Sequence, residues 1–367
     1  MSLHRRDFLK ASAYAATSSM VTGSVMARAV ASEPTIELKM SGYPHEHIKG
    51  LASGKVGIDG ANVTYSPGKI GDINSHVFAG PRELAFTEIG LSPYIVAFAN
   101  DNFRSYSLIP VFPFRTFRHK SIFVHADGGI DDPTDLKGKR VAAPGYSSTS
   151  LTWIRGILQD EYGVRPEDIE WVISAKDSSA GVSGAISKQE TMFPEGISYS
   201  AGPEGKDESE LLVDRDVDAL FHAAEPRAFV ERHPKIRRLF TDSRKVEREY
   251  YKKTGIFPMM HAVAIRNDLV DQHPWLPKAV FDAYSESKSL TYDDMYNKWF
   301  LRTLPWFAQE LEATEDLMGQ NFYPYGMEPN RKAVETLLRY MHEQRFASRE
   351  LKIEEMFHPS TLELVEG

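Results

Sequence analysis

Four groups of residues in this chain have types and spacing that could do chemistry. His261 directly follows Phe257-Pro258-Met259-Met260, at the opening of a β-rich run from Met260 to Ile265. An imidazole there titrates near neutral pH and could donate a proton, with a satisfied core histidine as the competing reading. Glu88, in Phe86-Thr87-Glu88-Ile89-Gly90, ends another such run. It could be the acid or base, or it could pair with Arg115 or Arg118. Arg115, Arg118 and His119 lie just beyond a buried-strand pattern. A guanidinium is a planar fork matched to carboxylates, so this cluster could clamp an anionic ligand or form hinge-side ion pairs. Ser147, Ser148, Thr149 and Ser150 precede an apolar-periodic helix, Leu151 to Tyr162. One of the four must be the N-cap, while Ser147 or Thr149 could hold a ligand carboxylate beside the free N–H groups. Tyr43 and Tyr146 offer faces for stacking on a ring, or plain packing.

The pair His45 and His47 invites a metal reading, but two ligands lack a third and the spacing fits no zinc signature. No metal site is expected. With 0 Cys there is no disulfide, thiolate zinc site or cysteine nucleophile.

These residues must be positioned by a fold, and the pattern around them alternates. Short β-rich runs, such as Ile36 to Met40, Leu84 to Phe86 and Ser107 to Phe112, are each followed by a helix or loop. That alternation predicts an α/β sheet fed by crossovers. A second α/β unit is expected from Pro144, and mostly helical chain after residue 266, with Asp268 to Trp299 and Arg331 to Gln344 showing the clearest helical spacing. Trp299 and Trp306 are expected to pack helices there. Two lobes follow: residues 33–143 plus 258–367 with a helical C-terminal part, and residues 144–257. This is the two-lobed solute-binding architecture, α/β, with the ligand cleft between lobes. The polar stretch from Asp177 to Glu210 reads as irregular surface or a lid over that cleft.

The 367 residues carry a net charge of -8 and no basic stripe interleaved with aromatics, which excludes a nucleic-acid partner. Arg5-Arg6-Asp7-Phe8-Leu9-Lys10, a weakly apolar stretch and Ala29-Val30-Ala31 read as a twin-arginine signal over residues 1–31. The twin-arginine export machinery is therefore an expected partner and the periplasm the expected location. No later segment approaches the ~18 apolar residues of a membrane span, so the mature form is not expected to be membrane-embedded.

Several strings carry a sharper likeness. Val111-Phe112-Pro113-Phe114-Arg115-Thr116-Phe117-Arg118-His119 is followed by Asp135-Leu136-Lys137-Gly138, Gly255-Ile256-Phe257-Pro258-Met259-Met260-His261, His273-Pro274-Trp275-Leu276-Pro277 and Phe357-His358-Pro359. Together they resemble the 4,5-dihydroxyphthalate decarboxylase family, over about residues 36–362. The resemblance implies a type II periplasmic-binding-protein fold, loss of one carboxylate from a catechol dicarboxylate, and no organic cofactor. It also supports a catalytic role for His261 and substrate contacts from Arg115, Arg118 and His119; Glu88 as a second catalytic candidate, and Ser147, Thr149, Tyr43 and Tyr146 as further substrate contacts, rest on the reading of the residues themselves. Two positions depart from the family pattern: Gly145 stands where the family carries Glu, and His222-Ala223-Ala224 where it carries Gly-Pro-Arg. The alternative is a receptor that binds a small anionic aromatic ligand for a transporter permease.

Overall fold

The structure is a computed structural model that describes residues 35–366; the signal expected over residues 1–31 lies outside the described residues. Eleven strands occur among them: β1 (Ile36–Gly42), β2 (Ala61–Pro67), β3 (Phe86–Gly90), β4 (Tyr106–Ile109), β5 (Ile122–His125), β6 (Arg140–Ala143), β7 (Glu170–Ile173), β8 (Tyr199–Ala201), β9 (Ala219–Phe221), β10 (Ile236–Arg238) and β11 (His261–Arg266). They build two sheets, β2-β1-β3-β11-β4 and β10-β5-β9-β6-β7-β8. β1, β2 and β3 run parallel in the first, and β6, β7, β8 and β9 in the second. Strands buried on both faces need near-continuous apolar sequence. Phe86 to Gly90 and His261 to Ile265 are buried throughout.

The second sheet starts earlier than the expected boundary at residue 144. β5 and β6, placed by sequence in the first lobe, pair instead with β9, β10 and β7. Short apolar runs signal a strand but carry no information about which sheet they join. The chain therefore passes from one sheet to the other between Ile109 and Ile122 and returns between Arg238 and His261. These two crossover segments meet in an isolated antiparallel bridge, Arg115 to Met259.

The helix Thr149–Tyr162 starts at Ser148, whose side chain accepts from the Leu151 N–H, and ends at Gly163 in the left-handed region (φ 63°), as a C-terminal glycine cap does. Its Trp153 Nε1 donates to the Met259 carbonyl at 2.9 Å, tying it to the returning crossover. The helix Leu276–Asn297 covers the first sheet, with Leu276, Val280, Phe281 and Tyr284 packed on Leu38, Met40, Phe86 and Ile265. The helix Arg331–Glu343 behaves differently from the expected lobe-one helix. It lies on Thr149–Tyr162, with Tyr340 OH donating to Asp160 at 2.7 Å and the Tyr340 ring 5.5 Å from Trp153. Trp299 and Trp306, expected to pack, are 52% and 66% exposed. No helix among the described residues is long and apolar enough to cross a membrane.

Candidate active site

The carboxyl ends of parallel strands from both sheets converge on one cavity of about 430 Å³. Tyr43 and His45 follow β1, and Gly90 ends β3; Pro144 to Tyr146 and Ser148 to Leu151 follow β6, Asp177 lies beyond β7, and His222 to Ala224 follow β9. Ligands in α/β sheets sit at such carboxyl ends, because the loops leaving the strands are free to vary there. Its size suits one aromatic ring with substituents.

His261 and Glu88 meet by register. β11 runs antiparallel to β3 with His261 opposite Gly90 and Val263 opposite Glu88, which puts Glu88 and His261 diagonally on one face of the sheet. His261 Nδ1 lies 2.5 Å from Glu88 Oε1. The same carboxylate oxygen is 3.0 Å from His45 Nε2, and Oε2 accepts from the Tyr43 N–H at 2.7 Å. Gly42 makes room for this, since a Cβ there would stand 2.9 Å from Glu88 Oε2. Burial alone would raise the Glu88 carboxyl. The hydrogen bonds from His261 and His45 and their charge outweigh it and hold the carboxyl well below the ordinary carboxylate range. An ionised carboxylate only accepts, so Nδ1 of His261 carries a proton and Nε2 is left for other work. Glu88 is 1% exposed and does not line the cavity, whereas His261, 7% exposed, does. Tyr43 and Phe114 wall the same end, with ring centroids 5.8 and 5.0 Å from His261. Burial pushes the Tyr43 hydroxyl up to about 12, so it stays protonated.

On the opposite wall, Ser148 proves to be the N-cap. Thr149 lines the cavity, but its Oγ1 accepts from the Ser92 N–H at 2.9 Å, a contact between the two sheets' elements. Ser147 does not line the cavity, and its hydroxyl donates to the Gln189 carbonyl at 3.1 Å. Tyr146 touches the cavity but is buried, stacked on Phe193 and edge-on to Trp171, with the Arg155 guanidinium 3.9 Å from its ring.

The expected clamp is not assembled at the cavity. Arg115 is buried among backbone acceptors: it donates to the Phe257 carbonyl (2.7 Å), the Asn330 side chain (2.7 Å) and the Pro324 carbonyl (3.3 Å). It fastens the outgoing crossover to the returning one and to the C-terminal part, a hinge-side role with no ion pair among the described residues. Arg118, 2% exposed, donates to the Ala223 carbonyl at 2.6 Å and stands behind Phe114. Its Nη2 has no hydrogen-bond partner among the described residues, and burial lowers its guanidinium to about 9. Arg118 is thus one layer behind the wall rather than in it. His119 lies further back, against Phe240 and Tyr250, with neither ring nitrogen hydrogen-bonded among the described residues, and burial lowers it to about 4. Apolar neighbours on either side carried these three inward, since the sequence interleaves them with Phe114 and Phe117.

Sequence reasoning missed two contributors. His45, read only as half of a metal pattern, is the second imidazole on Glu88. His47 makes no such contact; its ring stacks on His45 at 5.2 Å, and burial lowers it to about 3. His222 lines the second-sheet side, and its place directly after a strand was the available signal.

Comparison with known proteins fits this architecture. The family described as NMT1/THI5 like matches residues 116–187. The periplasmic aliphatic sulphonate binding protein SsuA from Escherichia coli superposes with a TM-score of 0.51 at 13% identity, covering 88% of this chain and 97% of SsuA. A putative periplasmic sulfonate-binding SsuA from Methylobacillus flagellatus gives 0.54 at 14% identity, covering 90% and 93%. The fold is therefore the two-lobed periplasmic-binding-protein fold. In sequence, the chain is 35% identical to 4,5-dihydroxyphthalate decarboxylase from Comamonas testosteroni over 329 residues, 89% of this chain and 98% of that protein. It is 30% identical to the Pseudomonas putida enzyme of the same name over 207 residues, 56% of this chain and 77% of that one. On this similarity, which spans nearly the whole of one relative, the chain belongs to the 4,5-dihydroxyphthalate decarboxylase family.

Proposed function

We propose that the protein is a carboxy-lyase acting on an aromatic hydroxycarboxylate of the 4,5-dihydroxyphthalate class. The reading rests on one observation: a buried carboxylate holds the His261 imidazole by Nδ1 at the wall of a cavity the size of a substituted ring. In this mechanism His261 gives the proton on Nε2 to the ring carbon that bears the departing carboxylate. A hydroxyl para to that carbon feeds electron density into the ring as the new C–H bond forms. The C–C bond then breaks, its electron pair returns to the ring, carbon dioxide leaves, and His261 regains a proton from solvent. Glu88 orients the imidazole and stabilises it while it is charged, and Tyr43 and Phe114 flank the ring. The buried charge of Arg118 favours an anion in front of it across a low-dielectric wall. Thr149 and the first N–H groups of its helix favour the carboxylate that stays.

The periplasm is the proposed location, supported by the twin-arginine pattern and by the likeness to periplasmic receptors. That likeness also favours a second reading, a receptor that closes on an aromatic carboxylate and hands it to a permease. Purified mature protein offered a panel of hydroxylated benzoates and phthalates, assayed for carbon dioxide and for thermal shift, separates the two. Release of carbon dioxide from a dihydroxyphthalate is the expected outcome. Tight binding of several acids with release from none would establish the receptor instead.

A further inference from the structure

Across the cavity from His261, three side chains from distant points of the sequence converge. His222 Nε2 lies 3.1 Å from Asp177 Oδ1 and 3.4 Å from Glu208 Oε1, and all three atoms fall within 4.8 Å of one another. Asp177 and His222 line the cavity, while Glu208 is fully buried behind them. We propose that these three residues hold a divalent cation of the zinc class, whose open coordination position faces the cavity and takes an oxygen of the anionic ligand.

Geometry, surroundings and charge support the assignment. A tetrahedral ion with bonds of ~2.0–2.1 Å sets its ligand atoms ~3.3–3.4 Å apart, close to the two histidine-to-carboxylate separations here. Three protein ligands with a fourth position open to a cavity is the arrangement of a working metal site rather than a structural one. The outer contacts are those of oriented ligands: His222 Nδ1 is 3.0 Å from the Ala224 carbonyl, which as acceptor would leave Nε2 free to coordinate. The Ala224 N–H, 2.9 Å from the same nitrogen, is the competing arrangement that the metal would exclude. Asp177 Oδ1 accepts from the Ser179 N–H at 2.7 Å, and Glu208 Oε2 from the Ser178 N–H at 3.3 Å, with the Ser178 hydroxyl on Oε1.

Charge gives the independent argument. Asp177 and Glu190 line the cavity, and Glu88 and Glu208 stand directly behind its wall, yet no Lys or Arg among the described residues lines it. The guanidiniums behind the wall are committed elsewhere: Arg118 donates to the Ala223 carbonyl, and Arg155 to the Tyr146 carbonyl and the Gln344 side chain. A dianionic ligand would meet this surface at a large cost unless a cation came with it or preceded it. The sequence hid the site because its members are 31 and 14 residues apart and match no spacing motif. The one metal-like spacing, His45 and His47, is taken up by Glu88 and by stacking.

The inference rests on the cavity being the ligand site, not on the reaction performed there. Metal-stripped mature protein titrated with Zn²⁺ alone in a calorimeter should bind one ion, and His222→Gln, Asp177→Asn and Glu208→Gln should each weaken binding at least 100-fold. His45→Gln should bind as wild type does. Circular dichroism and melting of the stripped variants would show that they remain folded. Absence of Zn²⁺ binding, or binding unchanged in all three variants, overturns the site. If zinc binds and no acid is decarboxylated, the cation site stands and the enzyme reading falls. If stripped protein releases carbon dioxide at full rate and binds no zinc, the reverse holds.

Discussion

Replacing Glu88 by Gln tests how the proposed proton donor is held. The native carboxylate accepts three hydrogen bonds, from His261 Nδ1 at 2.5 Å, His45 Nε2 at 3.0 Å and the Tyr43 N–H at 2.7 Å. An amide keeps one oxygen and adds two N–H donors, so it cannot satisfy both imidazoles and the backbone at once. A hydrogen bond to a charged group contributes about 1.5–3 kcal/mol, so loss of the one to His261 should slow the chemical step roughly 10- to 150-fold. His261→Asn removes the donor itself and should lower kcat about 10²- to 10⁴-fold, the range of general acid catalysis. Because Glu88 does not line the cavity, KM should stay within a few-fold in Glu88→Gln, and the fall should appear in kcat. The contact itself has a separate readout, the downfield proton resonance expected from a 2.5 Å Nδ1–H to carboxylate hydrogen bond. It should be present in wild type, lost in Glu88→Gln and retained in part in Glu88→Asp. Full turnover in His261→Asn, or a Glu88→Gln defect confined to KM with kcat unchanged, would refute the assignment.

Other substitutions separate structure from chemistry. Arg115→Met should cost about 2–4 kcal/mol in denaturant unfolding, because it strands the Phe257 and Pro324 carbonyls and the Asn330 side chain, while ligand affinity of the folded protein stays within a few-fold. His119 is lowered by burial from 6.5 to about 4, so the unfolded chain takes up its proton first as the pH drops. Its neutral form therefore supports full stability above about pH 6.5, and by pH 5 about 2 kcal/mol is lost. His119→Leu should flatten that fall in a pH series of melts and leave ligand binding unchanged. At Gly71 a Cβ would stand 2.0 Å from the Ala185 carbonyl oxygen, where the segment after Asp177 closes on the first-sheet side. Gly71→Ala should weaken ligand binding at least tenfold by titration, with little change in melting temperature.

Buried strand positions were legible because apolar runs bounded by turns announce them, and the Glu88 and His261 runs were both found that way; β8, exposed and inside the stretch from Asp177 to Glu210 read as irregular, was not. Which sheet each strand joins was not legible, and the misplaced boundary at residue 144 follows from that. β5 and β6 are as apolar as β3 and β11, and the partner strands of β5 lie as far off as Arg238 opposite Phe123, over a hundred residues away. The same limit applies to the arginines. A guanidinium in a sequence looks like a ligand for carboxylates whatever surrounds it, yet Arg115 ends among carbonyls contributed by residues 257 and 324, contacts set only once the two crossovers have paired.

The site divides along the same line. Glu88 and His261 each stood out alone, but their meeting depends on an antiparallel register between β3 and β11, two strands more than 170 residues apart. One further step of register would have turned either side chain to the opposite face. The chemistry is therefore written in the pairing rather than in the residues. The carboxylate has to be buried to act strongly on the imidazole, and it can be buried only because two rings and a backbone N–H meet it there. His222, Asp177 and Glu208 repeat that logic on the other sheet, brought together by the segments that follow β9, β7 and β8. A cavity with one imidazole–carboxylate assembly on each wall gives each sheet a separate contribution. In the proposed scheme the first supplies the proton and the second the charge that holds the anion, so turnover needs both sheets.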